Sequence, residues 1–291
     1  MPPIVFFGTE QHSLIALEAL YRAQLPVAAV VTKPDAPKGR GKTLTAPAVK
    51  HFANTHGIPV WQPSKLSELT DAIAALNSPI GVLVSYGKII PQSIIDLFTP
   101  GIINLHPSLL PRYRGPSPIE AAMTNLDDET GISIMQLDAQ MDAGPLYYQE
   151  RIALTGRETR AELYDRLFTL GSARLVELLP RIANGDLLPT PQQHTNATYC
   201  ALLSKQNAPL DPTTLNAAQA EARVRAYLGF PRTTLYYEND RLIITAAHVA
   251  DSPSTELDQR CSDGRYLVID ELIAPSGKHM NAAAFLRGRR P

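Results

Sequence analysis

The chain has 291 residues, of which 44% are hydrophobic and 19% are charged, the proportions of an ordinary globular protein. Every apolar run falls short of the roughly 20 residues that a membrane-spanning helix needs, so no such helix and no membrane partner are expected. The formal net charge of −1 argues against a protein that is coated with basic residues for binding nucleic acid.

The start of the chain and its cysteines predict a cytoplasmic protein. The first residues, MPPIVFFGTEQ, place no basic segment before their short apolar run, so they do not resemble a secretory signal. Cys200 and Cys261 are too few and too far apart for a disulfide framework or a zinc site. The seven histidines are scattered without ligand spacing, so no metal is expected.

Short apolar runs alternate with helix-like segments through the first two thirds of the chain. The runs cover residues 4–8, 26–32, 58–62, 80–87, 101–106 and 131–137. Continuous apolar runs bounded by turn residues indicate strands that are buried on both faces. Their alternation with helices predicts an α/β fold with a doubly wound, mainly parallel sheet. A long amphipathic helix then ends at Gly185, which fits a glycine cap and closes a domain over residues 1–185.

The composition changes after Gly185. Residues 186–205 are rich in proline and small polar residues, as is typical of a linker between domains. Beyond the linker, residues 206–291 contain one helix-like segment and several short strand-like runs. This pattern predicts a second, smaller, β-rich domain with a barrel-like form.

Asn104 and His106 stand at the end of one of these apolar runs. Strand side chains alternate between faces, so two residues that are two apart point the same way and can reach one small group. Pro107 lacks an N–H and turns the chain away from the sheet at this point. In open α/β sheets, ligands bind beyond the carboxyl ends of the strands. The alternative is an Asn and a His that only tie down the following turn.

Asp142 lies in a loop after the next predicted strand. The neighbouring strand end would place His106 close to this loop, and a carboxylate near an imidazole can orient the ring. Taken alone, the sequence Asp-Ala-Gly is also an ordinary turn.

The stretch KPDAPKGRGK is a local concentration of positive charge. Over residues 33–42 it contains one acidic residue, Asp35, and the basic residues Lys33, Lys38, Arg40 and Lys42. Such a loop can contact phosphates even on a nearly neutral protein. It can equally be a solvated surface loop.

Two long motifs resemble those of the 10-formyltetrahydrofolate-dependent formyltransferases. They are NLHPSLLPRYRGPSPI (104–119) and DETGISIMQLDAQMDAGPL (128–146). The stretch VVTKPDAPKGRGKTLTAPAVK (30–50) is similar to an insertion loop of the branch that formylates methionyl initiator tRNA. The motifs GTEQHSLIALEAL, HGIPVWQP and GKHMNAAAFLRG also match that branch. The resemblance extends over nearly the whole chain.

The resemblance implies a formyl transfer from 10-formyltetrahydrofolate to the amine of methionyl initiator tRNA. It implies that the catalytic residues are Asn104, His106 and Asp142. It implies that the folate site is lined by Ser108, Leu109, Leu110 and Pro111. The segment around Tyr86 and Gly87 suits a pterin slot, and the alternative is that it belongs to the ordinary core. Lys38, Arg40 and Lys42 are expected to contact the tRNA. The second domain would help to hold the tRNA, and the protein is expected to be a monomer.

Two other interpretations stay open at this point. The acceptor can be an amino-sugar nucleotide, although a sugar enzyme has little use for the basic loop at residues 33–42. The chain can also be a catalytically silent protein that binds folate or tRNA without turnover.

Overall fold

The structure, a computed structural model, describes residues 1–38, 41 and 43–289. Within them the strands are β1 (Ile4–Gly8), β2 (Val27–Val31), β3 (Ala36–Lys38), β4 (Thr43–Thr45), β5 (Val60–Trp61), β6 (Ile80–Val84), β7 (Ile102–His106), β8 (Glu129–Gln136), β9 (Leu146–Ala153), β10 (Thr234–Tyr237), β11 (Asp240–Ala250), β12 (Gln259–Arg260), β13 (Tyr266–Ile273) and β14 (His279–Asn281). The α-helices are α1 (Ser13–Arg22), α2 (Ala48–Thr55), α3 (Thr70–Ala74), α4 (Gln92–Ile95), α5 (Pro118–Thr124), α6 (Arg160–Ala183), α7 (Ala217–Ala226) and α8 (Ala282–Arg287).

The main sheet of the described chain has the strand order β5-β2-β1-β6-β7-β8-β9. Strand β1 pairs in parallel with both β2 and β6, and β7 continues the parallel pairing beside β6. Strand β8 then runs antiparallel to β7. The chain builds outward from β1 to β5 and returns to the other side of β1 to form β6. This arrangement confirms the predicted doubly wound, mainly parallel sheet. The order in which the chain adds strands reverses between β1 and β6.

Burial explains why the apolar runs form the central strands. All five positions of β1 and all five positions of β7 are buried, as expected for strands that are covered on both faces. Strand β9, at the edge of the sheet, alternates between more and less exposed positions along most of its length. This strand is not among those predicted from the apolar runs, because its charged and polar residues interrupt the apolar pattern.

Helix α6 ends at the predicted glycine. Gly185 has φ +78° and donates its N–H to the carbonyl of Ile182, while Asp186 donates to Arg181. These two hydrogen bonds form a Schellman motif, in which a left-handed glycine satisfies the last carbonyls of the helix. Neither α6 nor another helix of the described residues has the length and apolarity to cross a bilayer.

The chain divides into two compact units whose segments interleave along the sequence. The first unit contains residues 1–116, 131–151 and 164–199, and the second contains residues 117–130, 152–163 and 200–291. The boundaries at residues 185 and 206 stay predictions from the sequence.

The second unit contains a curled antiparallel sheet with the order β10-β11-β13-β12, to which β14 adds by pairing with β13. Its core is formed by apolar residues of the strands together with helices α7 and α8. The side chain of Asn216 caps α7 by accepting a hydrogen bond from the N–H of Gln219. The smaller β-rich part of the chain is therefore confirmed.

Candidate active site

Asn104 and His106 occupy the carboxyl end of β7, inside the main sheet. Both residues are only 5% exposed, because the strand is covered on its two faces. Residues two apart on a strand share a face, so the amide and the imidazole point to the same side of the sheet. Polar groups that are buried at this depth need partners.

Asp142 lies beside both groups. Its Oδ1 atom accepts a hydrogen bond from Nδ2 of Asn104 over 3.5 Å, and its Oδ2 atom lies 3.8 Å from Nδ1 of His106. Oδ2 also accepts the backbone N–H of Gly115 over 2.8 Å. The predicted amide, imidazole and carboxylate therefore come from two separate segments and converge at one point of the first unit.

A backbone carbonyl sets the proton positions on the His106 ring. The Nε2 atom lies 2.9 Å from the carbonyl oxygen of Tyr113. A carbonyl oxygen can only accept, so Nε2 must carry a proton in this arrangement. In the neutral ring Nδ1 then holds the lone pair, and it is Nδ1 that faces Asp142.

The Ser108–Pro111 loop is held by a buried hydroxyl. The Oγ atom of Ser133 donates to the carbonyl of Ser108 over 2.6 Å and accepts the N–H of Leu110 over 3.1 Å. Gln149 adds a hydrogen bond from its amide to the carbonyl of Leu110. The hydroxyl of Ser108 itself donates to the carbonyl of Arg112 over 2.6 Å, so its proton is already engaged within the loop.

The structure places Tyr86 in the core and Gly87 beside a lysine. The Tyr86 side chain is 1% exposed and packs edge-on against Phe7, with ring centroids 5.7 Å apart. Burial raises the pKa of its hydroxyl to about 12. Gly87 has φ +70°, and a Cβ at this position would collide with the ammonium group of Lys33.

A polar cluster holds the start of the basic loop at residues 33–42. Nζ of Lys50 and Nε2 of Gln62 each donate to Asp35 over 2.9 Å. These hydrogen bonds, that of Gln62 first, lower the pKa of Asp35. Lys38 ends β3, which pairs with β4, and the two other predicted tRNA contacts, Arg40 and Lys42, lie outside the described residues.

A cavity of about 590 Å³ lies on the side of the Asp142 loop that faces residues 191–199. Its lining combines residues around Asp142 with a buried arginine and residues of the predicted linker. The lining residues are Arg114, Asp138, Gln140, Ala143, Pro145, Pro191, Gln192, His194 and Tyr199. Within the described residues there is no cluster of three or more His, Cys, Asp or Glu side chains that could hold a metal ion.

Sequence reasoning missed four groups that contact the site or its loops. The carbonyl of Tyr113 and the N–H of Gly115 are backbone atoms, which every residue type except proline carries alike, so no sequence signal marks them. Gln192 lies in the predicted linker and forms hydrogen bonds with the Asp142 loop. Ser133 has a visible signal, because it is a polar residue within an apolar strand.

The comparisons with known proteins agree with one another on the family. The profile of the formyl transferase family matches residues 3–179. The chain is 38% identical to a methionyl-tRNA formyltransferase of Chloroflexus aggregans, with 98% of this chain and 96% of that protein aligned. It is 37% identical to a methionyl-tRNA formyltransferase of Janthinobacterium sp., with the same two coverages of 98% and 96%.

A solved structure shares the fold. It is the N-formyltransferase from Helicobacter canadensis in complex with folinic acid and dTDP-3-aminofucose, with a TM-score of 0.69. The two chains are 16% identical, and the match covers 92% of this chain and 99% of that one. At this identity the similarity shows the fold alone.

Proposed function

This chain belongs to the formyltransferase family, as its motifs predicted, and we propose that it transfers a formyl group from 10-formyltetrahydrofolate to the amine of methionyl initiator tRNA. The observation that carries the proposal is the convergence of Asn104, His106 and Asp142 at the carboxyl end of β7. The folate supplies a formyl group on N10, which is to be moved to another nitrogen. The residues present fit that group, because they offer an amide donor, an imidazole and a carboxylate within one small space.

Asn104 stabilises negative charge on the formyl oxygen. Its amide donates an N–H, and it is held in a buried place where a fixed donor needs no rearrangement during the reaction. Removal of one such donor typically costs about 2.7–4 kcal/mol of transition-state stabilisation.

His106 takes up the proton of the attacking amine, and Asp142 assists it. Nε2 of His106 is engaged by the Tyr113 carbonyl, so only Nδ1 can take up or release a proton on the side of Asp142. The carboxylate stabilises the imidazolium that forms when Nδ1 is protonated. The proton can then pass to the departing nitrogen, and no covalent intermediate on the protein is needed.

Ser108 does not act as a nucleophile in this mechanism. Its hydroxyl proton is donated to a backbone carbonyl, and its own carbonyl is held by Ser133. Together with Leu109, Leu110 and Pro111 it lines the folate site. Tyr86 and Gly87 belong to the same proposed site.

The acceptor is assigned from the relatives that match almost the whole chain. Those relatives carry the name methionyl-tRNA formyltransferase at 37–38% identity, with 98% of this chain and 96% of each relative aligned. The basic loop with Lys38, Arg40 and Lys42 supports a tRNA acceptor, because its cations suit phosphates. An amino-sugar nucleotide is the less supported acceptor.

The test offers both acceptors to the same preparation. The purified chain is incubated with 10-formyltetrahydrofolate labelled in the formyl group, and with methionyl initiator tRNA or an amino-sugar nucleotide. We expect labelled formyl-methionine after hydrolysis of the tRNA, and loss of the label in His106→Ala and Asp142→Ala at unchanged folding. Label on the sugar alone would contradict the assignment of methionyl initiator tRNA as the acceptor. Binding of both substrates without turnover would contradict the proposal that the chain is an enzyme.

A further inference from the structure

Gln192 links the predicted linker to the loop that carries Asp142. Its side chain is 5% exposed, and its Nε2 atom donates to two backbone carbonyls, those of Asp142 over 2.8 Å and Gly144 over 2.7 Å. Its Oε1 atom accepts from the guanidinium of Arg114, over 2.7 Å from Nη2 and 3.3 Å from Nε. One buried carboxamide therefore joins the segments around residues 114 and 142.

One of the joined segments contacts the Asp142 carboxylate, and the other is the loop that carries it. Gly115, which follows Arg114, donates its N–H to Oδ2 of Asp142. Asp142 itself has φ +47°, a left-handed conformation that costs an aspartate some free energy. Such a conformation is kept only where the surrounding structure imposes it. Gly144 leaves no room beside it, because a Cβ there would collide with the carbonyl oxygen of Gln136. The loop conformation is therefore tightly specified, and Gln192 contacts it at two of its carbonyls.

We propose that Gln192 is a positioning residue for formyl transfer, which holds the Asp142 carboxylate against Asn104 and His106. The inference rests on the proposed function, because it takes this carboxylate to be part of the catalytic site. Gln192 contacts only the backbone of the loop, so it acts through Asp142 and does not touch the reacting atoms. The present separations of 3.5 and 3.8 Å leave little tolerance, and a displacement of about 1 Å can cost about 100-fold in rate.

The competing explanation is structural. Arg114 is 2% exposed, and Gln192 would then serve to accept hydrogen bonds from a buried guanidinium. Two substitutions separate the explanations. Gln192→Met keeps the length and removes both hydrogen-bonding functions. Gln192→Glu keeps an acceptor for Arg114, as a carboxylate, but places an oxygen opposite the carbonyls of Asp142 and Gly144, where the donor was.

The positioning role predicts that both variants lose kcat by between about 10-fold and 100-fold, with KM for tRNA and folate nearly unchanged. Hydrogen exchange of the peptide that spans residues 138–146 should become faster in both. Gln193→Met is the matched control, because Gln193 is the exposed neighbour, and it should leave kcat and exchange unchanged. The unfolding midpoint of each variant reports whether the fold is retained.

Wild-type activity in the same assay, and its loss in His106→Ala, separate this inference from the proposed function. If the wild-type chain formylates and Gln192→Glu keeps its kcat and its loop protection, then Gln192 only satisfies Arg114 and the inference is wrong. Failure of both variants to fold would also assign Gln192 to structure alone and contradict it. If Gln192→Met alone fails to fold, the kcat of Gln192→Glu and its hydrogen exchange over residues 138–146 distinguish the two explanations.

Discussion

The backbone N–H of Gly115 donates to Oδ2 of Asp142 over 2.8 Å, and that same oxygen faces Nδ1 of His106 at 3.8 Å. The hydrogen bond leaves the carboxylate little freedom to rotate, since its other oxygen is contacted by Asn104. The 3.8 Å separation is longer than a hydrogen bond. The carboxylate is thus oriented by neighbours of fixed position and stands close to the imidazole without being bonded to it.

The charge of Asp142 can be removed while its shape is kept. In Asp142→Asn we expect kcat for formyl transfer to fall by about 100-fold or more, because an amide cannot stabilise the imidazolium of His106 or accept a proton. Folding should be retained, as judged by the unfolding midpoint. Asp165→Asn, at an exposed position of helix α6, is the control. A turnover of Asp142→Asn close to that of the control would remove Asp142 from the mechanism.

Ser133→Ala should destabilise the protein through the Ser108–Pro111 loop. The substitution leaves the N–H of Leu110 and the carbonyl of Ser108 without the buried hydroxyl that contacts both. We expect the free energy of unfolding to drop by about 1–3 kcal/mol in denaturant titrations. Ser67→Ala, at an exposed position, should change it by less than about 0.5 kcal/mol. Equal effects of the two substitutions would show that the buried network does not stabilise the loop.

Tyr86→Phe distinguishes a core residue from a residue of the folate site. The Tyr86 hydroxyl finds no hydrogen-bond partner among the described residues, and burial raises its pKa to about 12. If the side chain only fills the core, removal of the hydroxyl should raise the free energy of unfolding by about 1 kcal/mol and leave KM for folate unchanged. If the hydroxyl contacts the pterin, KM for 10-formyltetrahydrofolate should rise instead. Initial-rate kinetics and thermal unfolding of the same preparation separate the two results.

The hydrogen-bonded cluster of Asp35, Lys50 and Gln62 should make the stability of the protein depend on pH. Hydrogen bonds from Gln62 and Lys50 lower its pKa below the ordinary value of 3.8. A lowered carboxyl pKa contributes stability that is present above pH 3.8 and disappears as the pH falls through the folded pKa. The difference in unfolding midpoint between wild type and Asp35→Asn should therefore be larger at pH 7 than at pH 3. A difference that is the same at both pH values would mean that the charge of Asp35 contributes nothing.

The predictable parts of this protein are those that depend on local pattern. The apolar runs at residues 4–8 and 101–106 became fully buried central strands, because a strand covered on both faces must be apolar throughout. Gly185 became a left-handed helix cap, because glycine has no Cβ to oppose that conformation. Strand β9 was not predicted, because an edge strand can carry the charged residues that interior strands exclude.

The sequence by itself determined the family, the sheet class and the residue types that could carry the reaction, because these follow from patterns and motifs within short segments. Only the tertiary structure decided that the Gly115 N–H holds the carboxylate of Asp142, and that the Tyr113 carbonyl leaves Nδ1 of His106 as the nitrogen facing it. It also placed Gln192 of the predicted linker against the Asp142 loop. Such contacts are made by backbone atoms and by residues distant in the chain, and they form only when the packing of the sheet and its loops brings these segments together.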